Sequence, residues 1–212
     1  MKQIKLTDLV DSVIDCLTEP DGGHAVGNGD IKDAVLELKE IKALFIHVVV
    51  NQRELSGKIA LVGAGASGKD YLRSKFQSRG FVYGVSSTTR PPRPGEKNGV
   101  DYYFLTDEEF NDGIENGLFV EWQEFNNWKY GLVKPEFERC DVMILNAEAV
   151  DLLEPEYRER LFVIYTDIDE DIRFKRLSSR KDYDTPERRI VEDEKQFRNF
   201  SNFDCKITNE DF

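Results

Sequence analysis

Ile59-Ala60-Leu61-Val62-Gly63-Ala64-Gly65-Ala66-Ser67-Gly68-Lys69 is the stretch that decides the fold. A short apolar run, the length of a buried strand, passes directly into the spacing G-x-x-x-x-G-K. A helix-period segment, about 68–79, follows it. Small residues at such a junction let successive backbone N–H groups turn inward as a nest for an anion, and the helix N-terminus adds partial positive charge. Lys69 contributes a mobile cation for phosphate oxygens. Gly63, Ala64, Gly65, Ala66, Ser67, Gly68 and Lys69 are therefore the expected phosphate loop. Position 70 is Asp, where the motif has Ser or Thr to ligate Mg²⁺. Asp70 reads in two ways: as a hard oxygen donor for Mg²⁺, or as a charge that weakens the site where no metal separates it from phosphate.

Outward from this loop, residues 57–212 alternate short apolar runs with helix-period segments, the pattern of an α/β sheet. Buried strands are expected at Ile59–Val62, Val82–Val85, Val142–Leu145, Leu161–Tyr165 and Lys206–Thr208, and helices at about 68–79, 168–178 and 186–200. Residues 86–132 differ in texture. Pro91, Pro92, Pro94, Gly95 and Gly99 precede an aromatic strand, Asp101-Tyr102-Tyr103-Phe104. A capping box, Thr106 to Glu109, opens a short helix, and a hairpin-like pair follows, Leu118–Phe125 with Trp128–Tyr130. This segment reads as an inserted subdomain. Residues 1–56 read as a helical hairpin, with Leu6, Leu9, Val10, Val13, Ile14 and Leu17 on one apolar face and Ile31, Ala34, Val35, Leu38, Ile41, Phe45 and Val48 on the other. That hairpin either packs on the main domain or offers a surface to a second copy or another partner.

The chain has 212 residues, enough for one domain with an extension, and a net charge of −12. Such acidity argues against tracking DNA or RNA, which needs a broad basic surface. It leaves room for a mononucleotide, because a local arginine cluster can hold one phosphate. The longest apolar stretch, Ala43 to Val50, is about eight residues and holds His47, too short to span a bilayer. Cys16, Cys140 and Cys205 show neither metal spacing nor a disulfide framework. With no apolar secretion signal at the N-terminus, these features predict a cytoplasmic protein with buried thiols.

A second anion site is expected in Ser86-Ser87-Thr88-Thr89-Arg90-Pro91-Pro92-Arg93-Pro94-Gly95-Glu96-Lys97-Asn98-Gly99-Val100-Asp101-Tyr102-Tyr103. Arg90 and Arg93 can fork onto phosphate oxygens, and the prolines hold the loop in place before a ligand arrives.

This run resembles the guanylate kinases closely. The resemblance extends from about Gly57 to Phe212 and takes in the phosphate loop, Phe119-Val120-Glu121-Trp122, Lys129-Tyr130-Gly131, Arg176-Leu177 with Arg180, and Asp204 with Ile207, Asn209, Glu210 and Asp211. It implies a P-loop NTPase parallel-sheet core flanked by helices, a monophosphate-binding subdomain at 86–132 and a short lid at about 178–189. It implies transfer of the ATP γ-phosphoryl group to GMP or dGMP, with Mg²⁺ as cofactor and small nucleotides as partners. By the same resemblance, Arg90, Arg93, Tyr102 and Tyr130 hold the monophosphate, while Ser86 and Glu121 read guanine. Arg176, Arg180 and Arg189 neutralise the transferring phosphoryl group, and Asn209 contacts the adenine side. Two positions depart from the family. The serine after Tyr130-Gly131 is Leu132, which removes one hydrogen bond to the base. An acidic pair becomes Asn146-x-Glu148, where Glu148 keeps one charge near the GMP site. Together with Asp70, these departures leave open a deoxynucleoside monophosphate kinase of relaxed specificity and a binding module without catalysis.

Overall fold

The computed structural model describes residues 57–125, 127–179 and 185–208. The helical hairpin expected over 1–56 lies outside the described residues.

Strand β1 (Lys58–Gly63) is the organising element. It pairs in parallel with β6 (Val142–Ile144) on one side and β7 (Leu161–Thr166) on the other, and β8 (Cys205–Ile207) extends the sheet beyond β7. Ile59, Ala60, Leu61 and Val62 are all 0% exposed, so both faces of β1 are covered. That is why its sequence is continuously apolar rather than alternating. The chain leaves the C-terminal end of β1, returns as β6 on one flank, and only later supplies β7 on the other. The crevice at such a switch point is where α/β sheets bind ligands. Helix α1 (Lys69–Ser78) starts there and buries Leu72 and Phe76.

A second four-stranded sheet is formed by β2 (Ser87–Thr88), β3 (Tyr103–Phe104), β4 (Phe119–Phe125) and β5 (Trp128–Val133), in the order β3-β2-β5-β4. Helix α2 (Asp107–Glu115) carries both halves of the Thr106–Glu109 capping box. Helices α3 (Lys134–Arg139), α4 (Ala147–Leu152) and α5 (Pro155–Arg158) flank β6 and lead into β7. Helices α6 (Glu170–Ser178) and α7 (Pro186–Phe197) then connect β7 to β8. Among the described residues, no helix is long and apolar enough to cross a membrane.

Three expectations need correction. Val82–Val85 is not a buried strand. It makes one parallel bridge, Tyr83 to Val142, and Val82 is 37% exposed. The segment instead turns into the second sheet at Gly84, where a Cβ would come within 2.7 Å of Cys140 Sγ. The aromatic strand is only Tyr103–Phe104, because Gly99 accepts a turn at φ +75° and Tyr102 bridges back to Asn98. The last helix stops at Phe197, where the chain leaves it to build an aromatic cluster. There the Tyr165 ring meets Phe197 at 5.6 Å, Phe200 at 5.3 Å and Phe203 at 5.4 Å.

One core joins the two sheets. Phe137, on α3 and 0% exposed, packs in a cluster with Ala60 and Val62 of β1, Met143 of β6, Val163 of β7 and Leu132 of β5. Its ring meets Tyr157 edge-on at 5.1 Å. Phe137→Ala is expected to cost about 3–5 kcal/mol, because no neighbour can fill a void shared by two sheets. Urea unfolding of the two proteins measures it.

Candidate active site

The loop after β1 has the geometry an anion nest requires. Gly68 caps α1 in the left-handed region at φ +95°, and Ala66 also adopts positive φ, +61°. Gly63 has no room for a side chain. A Cβ there would overlap Thr166 Oγ1 and lie 2.6 Å from the Thr166 carbonyl oxygen. Thr166 Oγ1 donates to the Val62 carbonyl at 3.1 Å and shares a 2.7 Å hydrogen bond with Ser67 Oγ. The loop is thus fastened from below by β7. Lys69 Nζ folds back over it, donating to the carbonyls of Gly63 at 2.6 Å and Ala64 at 2.7 Å.

Helices α6 and α7 approach the loop from the other side. Arg176 Nη1 donates to the Ala66 carbonyl at 3.1 Å. Ala66, Leu177 and Ile190 form a small apolar contact among the three elements. Arg189 lies above Gly65, where a Cβ would come within 2.9 Å of its Nε, and that Nε is sealed from solvent without a hydrogen-bond partner. Asp193 accepts from the Gly65 N–H at 2.8 Å.

A cavity of about 750 Å³ opens beside the loop. Gly63, Gly65, Lys69 and Arg189 line it together with Arg90, Arg93, Tyr102 and Tyr130. Ser86, Glu121 and Gln123 line the same cavity from the second sheet. Arg90 is 8% exposed and rigidly held. Its Nη2 forks onto both Glu96 oxygens at 2.8 and 3.0 Å, its Nη1 reaches the Pro91 carbonyl at 2.7 Å, and its guanidinium lies 5.4 Å from the Tyr102 ring centre. Burial pushes the Glu96 carboxyl up, but the Arg90 hydrogen bond, the Arg93 amide and the guanidinium charges together hold it below the usual carboxylate range. The arginine therefore keeps a charged partner that also orients it.

Glu121 is the opposite case. No guanidinium faces it, its Oε2 is sealed off without a partner, and burial pushes the carboxyl up to about 8 against the pull of the Leu132 backbone amide. Once ionised, a carboxylate with an unpartnered oxygen is set to accept hydrogen bonds from a ligand that brings its own donors.

Other expected site residues stand elsewhere. Glu148 is exposed on the first turn of α4 and does not line the cavity. Asn146 does line it, although its side chain caps α4 by accepting from the Ala149 N–H at 2.7 Å. The Leu132 side chain is 0% exposed in the core, so it gives the cavity no polar group. Asp70 is exposed on the first turn of α1 and lines a neighbouring cavity of about 430 Å³ with Lys69, Arg176 and Ser179. Among the described residues, no cluster of three or more His, Cys, Asp or Glu forms a protein cage for a metal. One hard carboxylate beside a phosphate site still suits Mg²⁺, which is commonly held by one or two carboxylates together with substrate phosphates. Arg180, Asn209 and residues 180–184 of the expected lid lie outside the described residues.

Gln123 and Asp193 are among the cavity residues that the sequence does not single out. Gln123 is two positions from Glu121 on β4, and strand alternation puts it on the same face. Its Oε1 is buried without a partner. Asp193 is four positions from Arg189 on α7, one turn along the same helix face.

Comparison with known proteins agrees with this geometry. The family model for guanylate kinase matches residues 56–212. A guanylate kinase from Helicobacter pylori (strain ATCC 700392 / 26695) is 31% identical over 165 residues, covering 72% of this chain and 79% of that one. A guanylate kinase from Onion yellows phytoplasma is 47% identical over a shorter stretch, 83 residues, which is 38% of this chain and 39% of the relative. The chain therefore spans about two fifths of the length of that relative. The crystal structure of guanylate kinase from Anaplasma phagocytophilum superposes with a TM-score of 0.55 over 73% of this chain and 78% of that chain, and at 24% identity it shares the fold. With a fastened phosphate loop facing a preoriented arginine across one cavity, and a family match over residues 56–212, the chain belongs to the guanylate kinase family.

Proposed function

We propose that this protein transfers the γ-phosphoryl group of ATP to GMP or dGMP. One observation carries the reading: a main-chain nest with Lys69 and a guanidinium site built on Arg90 and Arg93 line the same cavity. Two anion sites in one cavity suit a donor and an acceptor phosphate, and phosphoryl transfer between them needs positioning and charge stabilisation rather than a covalent intermediate.

Each residue then has a task. The loop amides receive the β- and γ-phosphates. Lys69 exchanges the carbonyls of Gly63 and Ala64 for phosphate oxygens. Arg90, Arg93, Tyr102 and Tyr130 hold the acceptor phosphate. Arg176 and Arg189 neutralise charge spreading over the transferring group, with Arg180 in the same role by resemblance. Asp70 would hold Mg²⁺, which when bound neutralises phosphate charge. Asn209 takes the adenine side. Glu121 in its ionised form accepts from guanine N1–H and N2–H₂ together, and Ser86 lines the same cavity. Adenine lacks that donor pair, and a site built to hydrogen-bond its substrate rejects an unmatched analogue by roughly 10⁴–10⁵. A broader deoxynucleoside monophosphate kinase is the second reading. It is favoured by Leu132, whose buried side chain offers the base no hydroxyl.

Three outcomes are expected. Lys69→Ala lowers kcat by at least about 100-fold while GMP binding persists, since a preorganised charge on the reacting group is worth on that order. Steady-state kinetics with GMP calorimetry checks it, and a near-wild-type kcat would refute the role of the loop. Glu121→Gln erodes the preference for GMP over AMP, read as the ratio of kcat/KM across a panel of common ribo- and deoxyribonucleoside monophosphates. In the intact protein, GMP binding should strengthen as pH rises toward about 8 and then level off, because the ligand requires the ionised carboxylate. The slope below that point should approach roughly tenfold per pH unit, with proton release in calorimetry, and Glu121→Gln should flatten it.

The same buried carboxyl also acts on stability. Its folded-state value lies above its unfolded one, so the unfolded state gains by ionising as pH rises between them. Without nucleotide, Glu121→Gln should therefore melt several degrees higher than the parent at pH 8 but not at pH 4. Thermal unfolding at the two pH values checks the sign.

A further inference from the structure

The Gly65 amide of the phosphate loop already has a carboxylate on it. Its N–H donates to Asp193 Oδ2 at 2.8 Å, and the same oxygen accepts from Arg173 Nη1 of α6 at 3.2 Å. Arg173 is fixed in turn by its Nε, which donates to the Ile168 carbonyl at 3.1 Å. Asp193 is 5% exposed and Arg173 7%. Two charges taken out of water cost several kcal/mol each before their attraction offsets it, and apolar residues of similar volume often pack as well or better. Helix packing alone therefore does not require this pair. An apolar pair could not accept a hydrogen bond from the loop.

The position of Arg189 gives the contact a purpose. It stands one turn before Asp193 on α7, on the same face, and both reach Gly65: a Cβ there would meet Arg189 Nε at 2.9 Å and Asp193 Oδ2 at 3.1 Å. The apolar contact of Ala66, Leu177 and Ile190 presses the same elements together but leaves rotation of α7 about its axis unspecified, because hydrophobic contact is non-directional. A hydrogen bond to a single backbone N–H does specify it.

We propose that Asp193 is a positioning residue for phosphoryl transfer: clamped by Arg173, it ties α7 to the phosphate loop at Gly65 and so aims the Arg189 guanidinium at the reacting phosphates. This rests on the kinase reading given above, in which Arg189 neutralises the transferring group.

The test is a double-mutant cycle on the full chain with ATP, GMP and Mg²⁺. Asp193→Ala is expected to lower kcat by roughly 10–100-fold, the scale of an ångström-level misplacement of a reacting group, while the KM for GMP stays within about twofold. Asp193→Asn, which keeps an acceptor for the Gly65 N–H, should recover most of the loss. In an Arg189→Ala background, Asp193→Ala should cost little more. Because Asp193→Ala leaves Arg173 buried without its partner, the cycle is repeated with the apolar pair Arg173→Met with Asp193→Leu, which should melt near the parent temperature yet show the same drop in kcat. Equal losses in both Arg189 backgrounds, or an unchanged kcat in the apolar pair, would overturn the proposal. So would tighter ATP binding with a raised kcat, which would make Asp193 a competitor of phosphate. If Arg189→Ala itself keeps full kcat, the role of Arg189 falls and the tie falls with it. A loss there with additive Asp193 effects overturns the tie alone.

Discussion

Everything in this molecule depends on where β1 ends. A strand buried on both faces has to leave the sheet at Gly63, because Thr166 of β7 occupies the space where any side chain would go. No Cβ fits there, and the chain then turns through Ala66 and Gly68, both at positive φ, into the start of α1. The hydroxyls of Thr166 and Ser67 then fasten the loop to the sheet. The loop is thus fastened through its parallel pairing with β7, and on the proposed reading the rigidity of the sheet is passed to the groups that meet phosphate.

The second sheet solves a different problem. On the kinase reading proposed above, an acidic chain must present a cationic site for one phosphate and a carboxylate for one base within the same cavity. It does so by separating the two electrostatically. Arg90 is held by Glu96, which keeps the pair ionised and oriented. Glu121 has no such partner at its Oε2, and burial pushes its carboxyl up to about 8. Burial pushes both carboxyls up; the Arg90 and Arg93 contacts outweigh it at Glu96, whereas at Glu121 burial outweighs the Leu132 amide. The shared core around Phe137 sets the distance between the sheets and hence between the two sites.

Much of this was legible in the residues. The run Ile59–Val62 with its glycines gave strand, loop and helix, and Thr106 with Glu109 gave a helix start, because these are local effects within a few residues. The residues assigned to the monophosphate wall do line the cavity. Val82–Val85 misled because its apolar composition fits a strand, whereas its path is set by contact with Cys140, far away in sequence. Glu148 stands exposed on α4, away from the cavity lining, because resemblance carries a position but not the direction of a side chain on a short helix. Leu132 looked like a lost base contact, and its side chain turns out to serve the core. Gln123 and Asp193 were within reach of periodicity, two along a strand from Glu121 and four along a helix from Arg189, but nothing local said what they would meet.

By itself, the sequence determined the α/β class, the phosphate loop, the arginine-bearing loop and the order of the elements, because strand length, glycine spacing, capping and proline stiffness act over neighbouring residues. Only the tertiary structure decided that the loop after β1 and Arg90 line one cavity, that burial pushes the Glu121 carboxyl up, and that a buried aspartate joins α7 to the loop. Those facts depend on which segments distant in the chain come to share low-dielectric space, and burial and charge pairing there are properties of the packed fold rather than of any stretch of residues.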